Sequence, residues 1–281
     1  MTLLRTEDIK DISAQLKQYD RELVRKTGRT LRGIACHALS LEEEEFQSLA
    51  SSVPVAVVPI RSGQGVISRF SPTVRDIVVH IGFNAFVTQA ADVAGIAEAA
   101  EKGVEVIMIA DDLRFIALCL KTGRIVDNAE ATAKGFVAGL DLMTGGIDQQ
   151  KVLVIGCGPV GRSAVSAALQ RGAHMSVFDI DIRRSQNLAG DISELTGKTV
   201  TVEESIDRRG TACLGFDLMV EATNTADVIH EADITSETYI AAPGMPLGLT
   251  PAAIREVSDR LLHDPLQLGV SVMAIEAAKR F

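Results

Sequence analysis

The chain has 281 residues, 47% of them hydrophobic and 23% charged, with a formal net charge of −9. That length favours two domains over a single core. The acidic balance lacks the basic face a nucleic-acid binder needs, and no apolar run reaches membrane-spanning length. The opening "MTLLRTEDIKDI" turns charged too soon for a signal peptide. The expectation is a cytoplasmic protein with a small-molecule substrate, no nucleic-acid or membrane partner, and possible homodimer formation. Cys36, Cys119, Cys157 and Cys213 are scattered without a CxxC pair, so they read as reduced, buried residues and no metal site is expected.

The N-terminal stretch predicts an amphipathic helix over about 6–26, with Ile9, Ile12, Leu16 and Leu23 on one face and Gly28 as its stop. "SLEEEEFQSLASS" predicts a second helix capped by Ser40, its acidic run suiting the helix N-terminal dipole. Three apolar segments follow, at 53–60, 84–88 and 104–110. Each leads into a loop or helix, a βαβα rhythm that implies a parallel sheet covered by helices. The helix after the second segment is expected to be capped by Asp92 and stopped by Gly103.

The third segment runs straight into Asp111 and Asp112. One reading makes Asp112 the cap of a helix "LRFIALCL", with Asp111 accepting backbone amides. The other gives one carboxylate to a ligand. Side chains alternate along a strand, so one aspartate caps and one faces the site, and the residues leave open which.

"DNAEATAKGFVAGLDLMTGG" predicts a long helix closed by Gly145 and Gly146. Beyond it, Val152 to Ile155 form a strand followed at once by Gly156-Cys157-Gly158-Pro159-Val160-Gly161. Gly156 permits the tight turn, Gly158 lets backbone approach a pyrophosphate, and Gly161 allows close helix–strand packing. The next helix aims its N-terminal amides at the diphosphate. A second strand ends on Asp179 and Ile180, about 20 residues on, where a carboxylate holds ribose hydroxyls and favours NAD over NADP. Ala222 and Thr223, and later Ala242, Pro243 and Gly244, end further strands where the nicotinamide half is expected.

The fold class expected is therefore α/β: a C-terminal Rossmann-type NAD-binding domain plus an N-terminal α/β substrate domain. The boundaries are 1–130 for the substrate domain, 131–150 for a connecting helix, 151–248 for the dinucleotide domain and 249–281 for helices returning to the cleft. Substrate chemistry is expected from first-domain strand ends (Ser62, Thr88, Asp111, Asp112), from Asn128 at the connecting helix, and from the polar island of His263, Asp264 and Gln267.

The series "SGQGVISRFS", "FVTQAADVAG", "IADDLRFIAL", "DNAEATAKGF", "VIGCGPVGR", "APGMPLGLT" and "HDPLQLGV" resembles the dehydrogenase family of pyrrolysine biosynthesis. The resemblance runs through most of residues 53–281 and departs at Arg61, Gln64 and Cys119. It implies NAD-dependent oxidation of the terminal amine of lysine-Nε-(3R)-3-methyl-D-ornithine to an imine or semialdehyde that cyclises with loss of water. It also implies a fold related to amino-acid dehydrogenases. By motif, Ser62, Asp111 or Asp112 and the region around Gln267 would line the substrate pocket, with Leu3 or Leu4 contributing from a lid helix. The competing readings are a shikimate-type or methylene-tetrahydropterin dehydrogenase and a non-catalytic NAD sensor.

Overall fold

Short β-branched runs build two sheets in this computed structural model, which describes residues 4–61, 67–204 and 215–279. The chain opens with helices: α1 (Thr6–Ile9), α2 (Ile12–Thr27), α3 (Leu31–Ala38) and α4 (Glu43–Ser52). The single helix expected over 6–26 is thus two, and Gly28 ends the second in the left-handed conformation (φ 74°) that favours glycine. Ser40 does not cap α4; that place belongs to Glu42, and α3, unforeseen in the sequence, sits just upstream.

The first domain continues through β1 (Pro54–Val58), α5 (Phe70–Ile81), β2 (Asn84–Val87), α6 (Asp92–Glu101), β3 (Val106–Ala110), β4 (Phe115–Cys119) and β5 (Ile125–Asp127). Its sheet order is β2-β1-β3-β4-β5. The three expected strands pair in parallel, whereas β4 and β5 run antiparallel, so the sheet is mixed. The helix expected at "LRFIALCL" is strand β4. Its burial alternates residue by residue over "FIALC", a period of two that favours a strand over a helix. Asp112 therefore caps no helix. Asp92 lies inside the first turn of α6, whose cap is Ala91, and its carboxylate instead accepts from the Arg61 amide at 2.9 Å.

The long helix α7 (Asn128–Thr144) is capped by Asp127, which accepts from the Ala129 amide, and ends at Gly145. Then come β6 (Lys151–Ile155), α8 (Pro159–Gln170), β7 (His174–Phe178), α9 (Ile182–Thr196), β8 (Val200–Val202), β9 (Leu218–Glu221), β10 (Tyr239–Ala241), α10 (Pro251–Val257), β11 (Leu261–Leu262) and α11 (Gln267–Ala278). The second sheet has the order β11-β10-β9-β6-β7-β8, every pair parallel. This is a doubly wound sheet whose strand order reverses between β6 and β9, where ligands of such sheets bind.

Helix α11 is buried at all twelve positions. A helix apolar on every side belongs inside a core, and α11 packs against α7, α3, α5 and β4. One hydrophobic cluster accordingly runs from α2 and α3 through α7 and α11 to β6 and α8. The one charged residue of α11, Glu276, is met by Lys134 (2.8 Å) and Arg124 (2.9 Å). A buried carboxylate needs such pairing to offset its lost hydration. Among the described residues, no helix is long and apolar enough to cross a membrane.

Candidate active site

The turn after β6 carries the dinucleotide fingerprint. Gly156 adopts φ 95°, and a Cβ there would stand 2.8 Å from the Ala222 carbonyl oxygen. At Gly161 a Cβ would lie 1.8 Å from the Gly156 carbonyl oxygen, so the helix packs on the turn only without a side chain. Gly158 is different: a Cβ there meets nothing within 4 Å, leaving open space above the loop. Gly158 is also the N-cap of α8, offers no side-chain cap, and is followed by Pro159 at the first turn. Uncapped amides facing open space at a helix N-terminus suit a pyrophosphate. Val160 turns partly inward onto the core.

Asp179 lies beyond β7, 9% exposed. One carboxylate oxygen accepts from the Cys157 amide at 2.8 Å and the other from the Asp181 amide at 3.0 Å. The carboxylate thus fixes the glycine loop against its own strand end. Ile180 beside it is 97% exposed, an apolar face open to a planar base. Arg183 is paired with Asp181 at 3.1 Å. These residues fit a nicotinamide dinucleotide.

On the far side of the reversal point, Ala222, Thr223 and Pro243 sit at the ends of β9 and β10. His263, one residue past β11, donates from Nδ1 to the Ala242 carbonyl at 2.7 Å. That bond leaves Nε2 as the nitrogen with acceptor capacity. Asp264 follows, 4% exposed. It accepts from the Leu266 and Leu268 amides (3.0 and 3.3 Å) and from the Tyr19 hydroxyl at 2.6 Å. Burial pushes the Asp264 carboxyl up from the ordinary range, while the Tyr19 bond opposes that rise.

Gln267 begins α11 and is 7% exposed. It helps line a cavity of about 270 Å³ together with Tyr19, Glu7, Asp8, Asp11 and Glu22 from the N-terminal helices. Among the described residues, no lysine or arginine lines that cavity. Glu22 pairs with Lys26 at 2.8 Å and Asp8 accepts from the Arg5 amide at 2.7 Å.

The aspartate pair occupies the tip of the β3–β4 hairpin, both residues exposed. Asp111 Oδ1 accepts from the Leu113 amide (2.8 Å) and the Arg114 amide (2.7 Å), which hold its pKa below the usual carboxylate range. Asp111 therefore shapes the turn. Arg114 then reaches Asp127, the cap of α7, at 3.0 Å. Asn128 follows, and its Oδ1 would lie 3.0 Å from a Cβ placed on Gly269. The hairpin, the start of α7 and the start of α11 are thus linked residue by residue. Leu4 is half-buried and packs on the main core. Thr88 is turned to its own loop, donating to the Ala90 carbonyl at 2.8 Å. Ser62 and Gln64, with Leu3, lie outside the described residues.

Two groups were not foreseen in the sequence. Glu221 ends β9 fully buried, and the Tyr19–Asp264 bond joins residues 245 apart. The only sequence signal for Glu221 is a charge closing an otherwise apolar strand, "FDLMVE".

Residues 8–126 match the N-terminal domain of the pyrrolysine biosynthesis protein PylD, and residues 125–247 match the C-terminal domain of alanine dehydrogenase/PNT. The pyrrolysine synthase of Methanosarcina acetivorans is 29% identical over 97% of this chain and 98% of its own. Among solved structures, a shikimate dehydrogenase in complex with NADP+ has a TM-score of 0.54 at 12% identity, over 82% of this chain and 91% of that one. Quinate dehydrogenase from Corynebacterium glutamicum in complex with NAD has a TM-score of 0.50 at 18% identity, over 81% and 93%. These structures share the two-domain α/β fold with the chain. With a PylD-type N-terminal domain matched over residues 8–126 and a dinucleotide domain matched over residues 125–247, the chain is similar, nearly end to end, to the pyrrolysine synthases.

Proposed function

We propose that this chain oxidises the terminal amine of lysine-Nε-(3R)-3-methyl-D-ornithine with NAD, the last step in making pyrrolysine. The observation that carries the reading is the acidic cavity beside Gln267. Among the described residues its lining has four carboxylates and no lysine or arginine, and it includes Pro265, two residues past His263, whose Nδ1 donates to the Ala242 carbonyl after β10. Such a lining attracts a substrate bearing several ammonium groups and disfavours an anionic one. The curated relative with end-to-end coverage bears the name pyrrolysine synthase, which supports the same substrate.

A nicotinamide dinucleotide held by the glycine turn and Asp179 would supply the hydride acceptor. The protein must bind the substrate, orient the amine carbon and take up a proton. An ammonium loses its proton before its carbon can release hydride, since the nitrogen lone pair drives that departure. A carboxylate at the hairpin tip, Asp111 or Asp112, draws the cation and accepts or relays that proton. Asp111 also holds the two backbone amides of the turn. The oxidised carbon, as imine or semialdehyde, is captured by the ornithine α-amine. One substrate and one NAD+ then give pyrrolysine, ammonium and NADH.

Gln267 and Asn128 serve as polar anchors, with Ser62 in the same role, while Leu4 belongs to the lid over the site. His263 Nε2 is an acceptor available to a substrate N–H. NAD is preferred over NADP because the Asp179 carboxylate repels a ribose phosphate. The test is to mix the pure protein with NAD and the lysine–methylornithine conjugate and to follow NADH and product mass. NADH with a pyrrolysine mass is expected; neither appearing contradicts the proposal.

A further inference from the structure

Glu221 is 0% exposed, yet it ends a strand at the reversal point of the dinucleotide sheet. Its Oε1 accepts from both the amide (2.7 Å) and the hydroxyl (2.6 Å) of Thr223. Its Oε2 accepts from the Gly248 amide at 3.1 Å. The backbone carbonyl of the same residue accepts from the Gly244 amide at 3.1 Å. One residue thereby ties the loop leaving β9 to the loop leaving β10.

The second loop is wrapped tightly around this carboxylate. A Cβ on Gly244 would stand 2.4 Å from Oε2, and one on Gly248 would stand 2.5 Å from the carboxyl carbon. Both glycines are therefore required by the approach, whatever their backbone angles. The same loop is anchored onward, since the Gly248 carbonyl accepts from the Val228 and Ile229 amides at 2.7 and 2.8 Å. Gly156 of the fingerprint turn closes on Ala222, between Glu221 and Thr223.

Every partner of the Glu221 carboxylate is a donor, which an acceptor-only group matches. A glutamine would turn its NH₂ toward either the Gly248 amide or the Thr223 pair, setting donor against donor. A buried carboxylate is an expensive choice for mere packing. Here it organises two loops that frame the nicotinamide side of the cleft.

We propose that Glu221 is a positioning residue for the nicotinamide end of the cofactor, holding the Thr223 turn and the 244–248 loop in register. The proposal rests on the chain binding a nicotinamide dinucleotide. It separates the two halves of the cofactor site: Asp179 and the glycine loop serve the adenosine diphosphate half, and Glu221 serves the ring half.

The test compares NADH with ADP-ribose, which lacks the nicotinamide ring, on the wild-type chain and on Glu221→Gln, by calorimetry. Glu221→Gln is expected to weaken NADH about tenfold, the size of one or two lost buried hydrogen bonds, while ADP-ribose changes by less than about twofold. Thr223→Val, which removes the hydroxyl and keeps the amide, should shift NADH in the same direction by a smaller factor. It also serves as the reading if Glu221→Gln does not fold. Unchanged NADH affinity, or equal losses for NADH and ADP-ribose, overturns the proposal. A wild-type chain that binds neither ligand overturns the cofactor reading itself.

Discussion

The Tyr19 hydroxyl donates to Asp264 at 2.6 Å across 245 residues of sequence, joining helix α2 to the loop that launches α11. The bond fastens an N-terminal helix to the C-terminal segment that returns to the acidic cavity, which Tyr19, Pro265 and Gln267 line. Tyr19→Phe leaves a buried carboxylate short of one donor. Chemical denaturation should report a loss of about 1–3 kcal/mol.

The same pair sets a pH dependence. Burial raises the Asp264 pKa, so the folded chain holds that proton more tightly than the unfolded chain. Its contribution is most favourable below the ordinary carboxylate pKa and declines as pH rises from there toward the raised folded value. Tyr19 counters the rise, so Tyr19→Phe should steepen the decline, and Asp264→Asn should abolish it. Denaturation midpoints across acidic and neutral pH check this; identical slopes in all three proteins would contradict it.

Glu98 behaves oppositely. The Ala90 amide at 2.8 Å and then Lys102 hold its pKa down at about 2. Its contribution is complete above the ordinary glutamate value and is lost as pH falls from there toward about 2. Side-chain carboxyl NMR should find Glu98 still ionised where exposed glutamates are protonated. A normal titration would mean the 88–91 loop is not held as described.

At the hairpin tip, Asp111→Asn or Asp112→Asn should lower kcat by about a hundredfold with NAD affinity retained, the size typical of a lost acid–base group. Asp111→Asn keeps an acceptor for the Leu113 and Arg114 amides, so the turn should survive that substitution. If both variants turn over like the parent, the proton assignment is wrong.

Asp179→Ala removes the partner of the Cys157 and Asp181 amides as well as the ribose acceptor. We expect NAD binding to weaken by about tenfold or more, and NADP to lose less. Equal losses for both dinucleotides would assign Asp179 to loop structure alone.

The dinucleotide domain was legible because its constraints are local: Gly156, Gly158, Gly161 and Asp179 fall at spacings dictated by one turn and one strand. Asp111 and Asp112 were visible as an oddity, but their setting was misread. "LRFIALCL" is apolar enough for either element, and only pairing with β3 decides in favour of a strand. Glu221 and Tyr19–Asp264 stayed hidden because their partners come from other parts of the chain. α11 shows no periodicity to read, since every side of it is buried.

The most direct test of the central claim is a single reaction: pure protein, NAD and lysine-Nε-(3R)-3-methyl-D-ornithine, with NADH, ammonium and product mass followed together. The account predicts NADH and ammonium in equal amounts with a product of pyrrolysine mass. NADH formation without ammonium, or no turnover of this substrate by a protein that binds NAD, would contradict it.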